Sequence, residues 1–353
     1  MGGADMDPTK KVELTAESGR RCPRRMPADW EPPVPAWVAD LAGIGTAVVC
    51  CLGVQSRGER SVPQIDLLRE RFARRAALSD RAWYQDASGY RNDVLVCYFT
   101  SPEAYRRAAD EFSDWWDSPA RLDEAAGYWR EVFTAPLSHR ETLFSANDRP
   151  AGLAKVAAAM IGPVAEHGYW GGARDRIPVS ADDELSAAAR LARTPCESFG
   201  RRLHIAPHAN LCIIRSGQDL SDCTGRELQD YQRRVYPALL QGMEYLRDHP
   251  AETGCYSCRF MAELDAAKPT SRTFGLATFV SLGHLERWAA EHPSHLAIFQ
   301  SFLELAQELG AAMRLRLWHE VYVLRGGGDD WFEYVNCHPD TGLLPFVAPT
   351  VIA

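Results

Sequence analysis

Two stretches of this chain, 180 residues apart, carry the same pattern. Leu95-Val96-Cys97-Tyr98-Phe99-Thr100-Ser101 can be laid over Gly275-Leu276-Ala277-Thr278-Phe279-Val280-Ser281, and the same offset puts Tyr105 on Leu285 and Arg107 on Arg287. In each stretch an apolar run with strand character ends at a serine, and helical spacing begins. Ser101 followed by Pro102 is a helix start, since serine caps the free N–H groups and proline suits the first turn.

Around these anchors the first half reads as a buried strand over 46–55, a helix over 64–78, a short strand at 82–85 and a firmer strand over 93–99. A helix from 101, a further helix over 122–134 and a last strand at 141–144 complete it. The second half reads as a strand at 210–214, a long helix over 225–247 and strands near 255–263 and 273–280. A helix from 281, another over 294–310 and a strand over 314–323 follow. Glu141 then falls close to Glu320. Both halves follow one order: strand, helix, strand, strand, helix, helix, strand. Such doubling predicts an α+β fold of two ferredoxin-like halves, about 40–150 and 205–335, packed as an α+β barrel. Residues 1–30 read as a flexible leader. Residues 31–353 read as one domain, with a connecting segment and a C-terminal tail.

Composition narrows the function classes. The 353 residues are 46% hydrophobic with a net charge of −8, so a folded globule is expected and a phosphate-backbone binder is not. No apolar run reaches the ~18 residues of a membrane span, and the polar N-terminus holds no signal-peptide core. Ten cysteines without regular spacing fit reduced thiols and a cytoplasmic location. Cys255-Tyr256-Ser257-Cys258 has no second pair to complete a zinc site, and Gly326-Gly327-Gly328-Asp329-Asp330 is most simply a turn.

Four segments can carry chemistry. In Glu291-His292-Pro293-Ser294-His295-Leu296, two histidines three apart at a helix start lie near one face. One of them suits a metal or haem ligand; a capping or core histidine explains the pattern as well. In Leu317-Trp318-His319-Glu320-Val321, strand alternation sets His319 on an apolar face and Glu320 on the other. His319 is there an acid–base group or a satisfied core histidine. His167-Gly168-Tyr169-Trp170-Gly171-Gly172-Ala173-Arg174-Asp175-Arg176 is a loop against a ligand or a surface loop. Ser216, at a strand end beside Gly217, either donates into a pocket or begins a turn. No Gly-x-Ser-x-Gly elbow, phosphate loop or Cys-x-x-Cys-His motif is present.

Taken together and in order, these segments resemble the haem-containing aldoxime dehydratases. The resemblance starts at Pro33-Val34-Pro35-Ala36-Trp37-Val38 and Leu52-Gly53-Val54-Gln55. It continues through His167–Gly171, Ile214–Asp219, Gly254–Ser257, His292–Leu296 and His319–Val321, and ends at Tyr334-Val335-Asn336-Cys337-His338-Pro339-Asp340-Thr341-Gly342. It implies dehydration of aldoximes to nitriles on non-covalently bound haem b, active in the ferrous form, in a homodimer. By the same resemblance His295 is the proximal iron ligand and His319 the distal acid–base. Ser216, Arg176 and Glu141 complete the distal side, with Arg174 as the competing arginine. Two rivals remain: a haem peroxidase-like enzyme of the same barrel fold, which would share His295, and a non-enzymatic haem carrier or sensor.

Overall fold

The computed structural model describes residues 19–58, 61–188 and 191–353. Of the expected leader over 1–30, residues 1–18 lie outside them. Strand β1 (Val38–Ala39) pairs only with β7 (Met160–Ile161). The first half then runs β2 (Thr46–Arg57), α1 (Gln64–Arg71), β3 (Leu78–Gln85), β4 (Tyr90–Phe99), α2 (Pro102–Trp116) and β5 (Gly127–Pro136). The link holds β6 (Arg140–Phe144), the five-residue α3 (Gly172–Arg176) and β8 (Arg202–Ile205). The second half runs β9 (Cys212–Asp219), α4 (Gly225–Asp230), α5 (Tyr236–Asp248), α6 (Pro250–Thr253), β10 (Cys255–Asp265) and β11 (Lys268–Phe279). It continues through α7 (Leu282–Glu291), α8 (Pro293–Leu309) and β12 (Arg316–Val323); β13 (Trp331–Val335) and β14 (Thr350–Val351) close the chain.

Local chemistry explains most of these elements. The Ser101 side chain accepts from Ala104 N at 3.2 Å, and Ala108, Phe112 and Trp116, four apart, form the buried stripe of α2. The expected long helix over 225–247 is present but interrupted by a π-turn at Tyr231–Val235. Pro237 lies just beyond it and has no N–H for the helical ladder.

Twelve strands form one sheet in the order β14-β8-β13-β5-β2-β4-β3-β10-β11-β9-β12-β6. Four strands of the first half stand as β5-β2-β4-β3, and four of the second as β10-β11-β9-β12. Numbered within each half, the order is 4-1-3-2 and then its reversal, 2-3-1-4. The halves join where β3 pairs antiparallel with β10, Trp83 opposite Ala262. The sheet curls, so that inward side chains of both halves meet: Phe133 of β5 packs its ring 5.2 Å from that of Tyr322 on β12. Burying such a phenylalanine contributes roughly 1.5–3 kcal/mol. Helices α1 and α2 cover the outer face of the first half; α5, α7 and α8 cover that of the second. Among the described residues no helix is long and apolar enough to cross a membrane.

Two expectations are corrected. The helix read over 122–134 is strand β5. Tyr128 and Val132 enter the outer core while Trp129 and Phe133 enter the inner one, so both faces are apolar and the alternation signal vanishes. Its charges are paired rather than solvated: Arg130 pairs with Glu333 at 2.7 Å and the buried Glu131 with Arg259 at 2.6 Å. It follows that β5, not the 141–144 strand, is the counterpart of β12. The overlay of Glu141 on Glu320 therefore fails, because β6 is an added edge strand beside β12.

Residues 20–30, read as part of the leader, carry the packed chain back toward residue 20. Trp30 Nε1 donates to His167 O at 2.8 Å, and Arg21 N and Cys22 N donate to Ala181 O at 2.8 and 2.9 Å.

Candidate active site

The register of three strands assembles one wall. His319 on β12 stands opposite Ser216 on β9, and Val321 stands opposite Glu141 on β6. Alternation puts Glu141, Ser216 and His319 on the same outward face of the sheet. Arg176 arrives from α3, whose start needs Gly171 in a left-handed conformation, φ 103°.

The polar groups converge on one nitrogen. Arg176 Nη2 donates to His319 Nε2 at 3.0 Å, and Glu141 Oε1 lies 3.0 Å from the same Nε2. Arg176 Nε donates to Glu141 Oε2 at 2.7 Å, and its Nη1 donates to the carbonyl of Glu166. A guanidinium only donates and a carboxylate only accepts. Neutral Nε2 is thus held by Arg176, and protonated Nε2 has Glu141 to donate to. The Glu141 side chain is 1% exposed. Burial alone would raise its pKa, but Arg176 and then His319 outweigh it and hold the carboxyl below its ordinary value.

The choice between two arginines is decided by direction. Arg174 turns away: its Nε and Nη2 grip Glu286 of α7 at 3.0 and 2.7 Å, and its Nη1 donates to Glu184 O at 2.7 Å. Only Arg176 reaches His319.

A cavity of about 400 Å³ separates this wall from α5, α7 and α8. Ser216, His319 and Arg176 line it on one side, and His295 of α8 on the other. The two histidines that spacing sets near one face diverge. His292 caps α8, its Nδ1 accepting from Ser294 N at 3.2 Å, and its Nε2 lies 3.5 Å from Glu252. His295 Nδ1 lies 2.8 Å from the carbonyl of Ala289, which can only accept, so Nδ1 carries the hydrogen and the lone pair is left on Nε2. Burial holds the His295 pKa down to about 4, so the ring is neutral at neutral pH.

These residues fit a haem. The walls are largely apolar: Leu239, Met243, Trp288 and Phe299 line them beside His295. One neutral imidazole does not make a site for a bare ion, and no group of three or more His, Cys, Asp or Glu able to hold one occurs among the described residues. It does suit a metal whose other ligands come from a macrocycle, with the far wall free to supply hydrogen-bond donors.

The comparison that decides the family agrees. The family model of the haem-containing dehydratases matches residues 50–343. The chain belongs to the haem-containing dehydratase family.

This dehydratase is 36% identical to the aliphatic aldoxime dehydratase of Pseudomonas chlororaphis, over 96% of this chain and 100% of that one. It is 35% identical to the phenylacetaldoxime dehydratase of Bacillus sp. (strain OxB-1), over 93% and 96%. Among solved structures it superposes on an aldoxime dehydratase in complex with butyraldoxime with a TM-score of 0.88. That match is 31% identical and covers 98% of this chain and 99% of the other.

Sequence reasoning passed over the surroundings of His295. In this dehydratase its ring lies between two indoles, with Trp288 at 4.7 Å and Trp170 at 5.6 Å, both edge-on. Trp170 sits in the glycine–aromatic segment and Trp288 in the helix from 281, but nothing local says that they meet. The reverse side of the wall was also missed. Arg215 and Glu320, opposite each other on β9 and β12, point into the barrel. There Arg215 donates to Asp80 and to Tyr98 OH at 2.7 Å each, and Tyr98 donates to Glu320.

Proposed function

We propose that this dehydratase converts aldoximes, R–CH=N–OH, to nitriles and water, with haem b bound through His295 and with His319 as acid and base. The observation that carries the reading is the Nε2 of His319, 3.0 Å from both Arg176 and Glu141 and facing His295 across the cavity. His295 would hold the haem, and its ferrous iron would supply electron density for cleavage of the N–O bond.

The side chains of the protein do the rest. Arg176 and Ser216 hold the oxime hydroxyl and stabilise negative charge developing on its oxygen. Protonated His319 gives its proton to that oxygen, which leaves as water. The neutral imidazole then takes the carbon-bound proton as the C≡N bond forms, and His319 is protonated again. Glu141 accepts from the protonated ring and Arg176 donates to the neutral one, so the ring is held in place in both forms. No net electron is consumed, so the reaction is a lyase reaction.

The named relatives act on aliphatic aldoximes and on phenylacetaldoxime, which supports a broad range of aliphatic and aryl-alkyl substrates. The strand orders 4-1-3-2 and 2-3-1-4 support two ferredoxin-like halves within one catalytic domain. All ten cysteines are free, which supports a cytoplasmic location. The assignment as a homodimer rests on the family resemblance.

The test is anaerobic nitrile formation from phenylacetaldoxime and butyraldoxime by haem-loaded, dithionite-reduced protein, beside His319→Ala. Nitrile from wild type and almost none from the variant, with the haem spectrum retained, is the expected result. No nitrile from correctly loaded ferrous protein refutes the activity and favours the peroxidase or carrier. Activity surviving in His319→Ala moves the acid–base role elsewhere.

A further inference from the structure

Helix α3 holds three consecutive charged residues, Arg174, Asp175 and Arg176, all buried, and each reaches a different part of the molecule. Arg174 grips Glu286 of α7, and Arg176 reaches His319. Asp175, fully buried, faces the segment over 20–30. Its Oδ1 accepts from Arg25 N at 3.0 Å; its Oδ2 accepts from Met26 N at 2.9 Å and from the Tyr169 hydroxyl at 2.7 Å. With the contacts of Trp30, Arg21 and Cys22, these bonds lay the segment as a strap over the loop that bears α3. The fit is close. A Cβ on Gly171 would lie 2.4 Å from Arg25 Cβ, and one on Gly168 would lie 2.7 Å from Pro33 Cδ.

A five-residue helix has almost no stability of its own, so what grips it sets its orientation. A buried carboxylate accepting three hydrogen bonds is a strong grip. Asp175 does not line the cavity. We infer that Asp175 is a positioning residue: by fastening α3 to the strap it fixes where the Arg176 guanidinium meets His319 and Glu141. This rests on the role of Arg176 proposed above.

A double-mutant cycle separates positioning from plain stabilisation. In Asp175→Asn only one acceptor oxygen remains, so an amide N–H₂ must face at least one of the three donors. The haem-loaded ferrous variant is expected to keep the wild-type haem spectrum and to lose about 10- to 100-fold in kcat. Because the loss acts through Arg176, it should vanish in the Arg176→Ala background, with the double variant no slower than Arg176→Ala alone. Trypsin should also cut after Arg24 or Arg25 faster in Asp175→Asn than in wild type, since the strap has lost its anchor.

Losses that multiply across the two backgrounds, an unchanged kcat, or unchanged strap cleavage would each overturn the inference. If Asp175→Asn does not fold, Tyr169→Phe removes one donor and keeps the carboxylate. A smaller kcat loss, again absent beside Arg176→Ala, is then expected, and a multiplying loss overturns the inference. Absence of nitrile from wild type would instead refute the proposed reaction and the inference with it. Nitrile formation with a multiplying cycle refutes the positioning role alone.

Discussion

Ser216 and His319 stand directly opposite each other on paired antiparallel strands, so one register sets the spacing between the hydroxyl and the imidazole proposed to act on the oxime. A one-residue slip of either strand would turn its own side chain into the barrel and bring Arg215 or Glu320 out. The buried bonds from Arg215 to Asp80 and Tyr98, and from Leu153 N to Glu320 at 2.9 Å, oppose such a slip. They tie β9 and β12 to β3, β4 and the 152–156 turn.

Ser216→Ala removes one donor to the leaving hydroxyl and leaves the strand unchanged. Its kcat for nitrile formation should fall on the order of 100-fold with the haem spectrum intact. Steady-state kinetics check this; a kcat within about twofold of wild type would take Ser216 out of the reaction.

His295→Ala removes the proposed iron ligand, the imidazole that lines the cavity opposite His319. The variant should lose the absorbance of axially ligated haem, and added imidazole should restore much of it. Titration with haem followed by absorbance reads both effects. An unaltered spectrum would place the iron ligand on another residue.

Glu333 ties acid sensitivity to the first half. It accepts from Trp116 Nε1 at 2.8 Å and from Arg130 at 2.7 Å, and it pairs with Arg202. Burial alone would raise its pKa, but Arg130 and Arg202 outweigh it and bring it down from 4.5 to about 2. A lowered carboxylate pKa adds stability that is complete above about 4.5 and lost as pH falls toward 2, on the order of 3 kcal/mol in all. Below pH ~5 the stability of wild type in urea should therefore fall more steeply with pH than that of Glu333→Gln. Parallel slopes would show that the pair does not drive the acid response.

Gly217→Ala tests the close contact behind the catalytic wall. Its Cβ would lie 2.5 to 2.6 Å from indole atoms of Trp318, the neighbour of His319. Forcing that ring to move should cost about 1–3 kcal/mol. A thermal melt shows this as a lowered Tm; an unchanged Tm would mean that Trp318 shifts freely.

Much of the layout was legible in the sequence because its signals are local. The serine cap and the spacing of Ala108, Phe112 and Trp116 specify α2, and strand alternation already separates His319 from Glu320. Strand β5 was misread because both of its faces are buried, so its apolar pattern carries no period. The overlay of Glu141 on Glu320 fails for the same cause, since the true counterpart of β12 is β5, whose pattern reads as a helix.

Local pattern alone specifies a doubled α+β chain with His319 on a strand and His295 at a helix start, but it ends the strand before Ser216, which β9 carries on to Asp219. Packing across the molecule joins Arg176 rather than Arg174 to His319, makes His292 a helix cap while His295 faces the cavity, and straps residues 20–30 over α3. The reason is distance along the chain. Glu141, Arg176, Ser216 and His319 come from four separate elements, and no local pattern brings them together. They meet through the register of β6, β12 and β9 and through the burial of charges that must find partners once water is excluded.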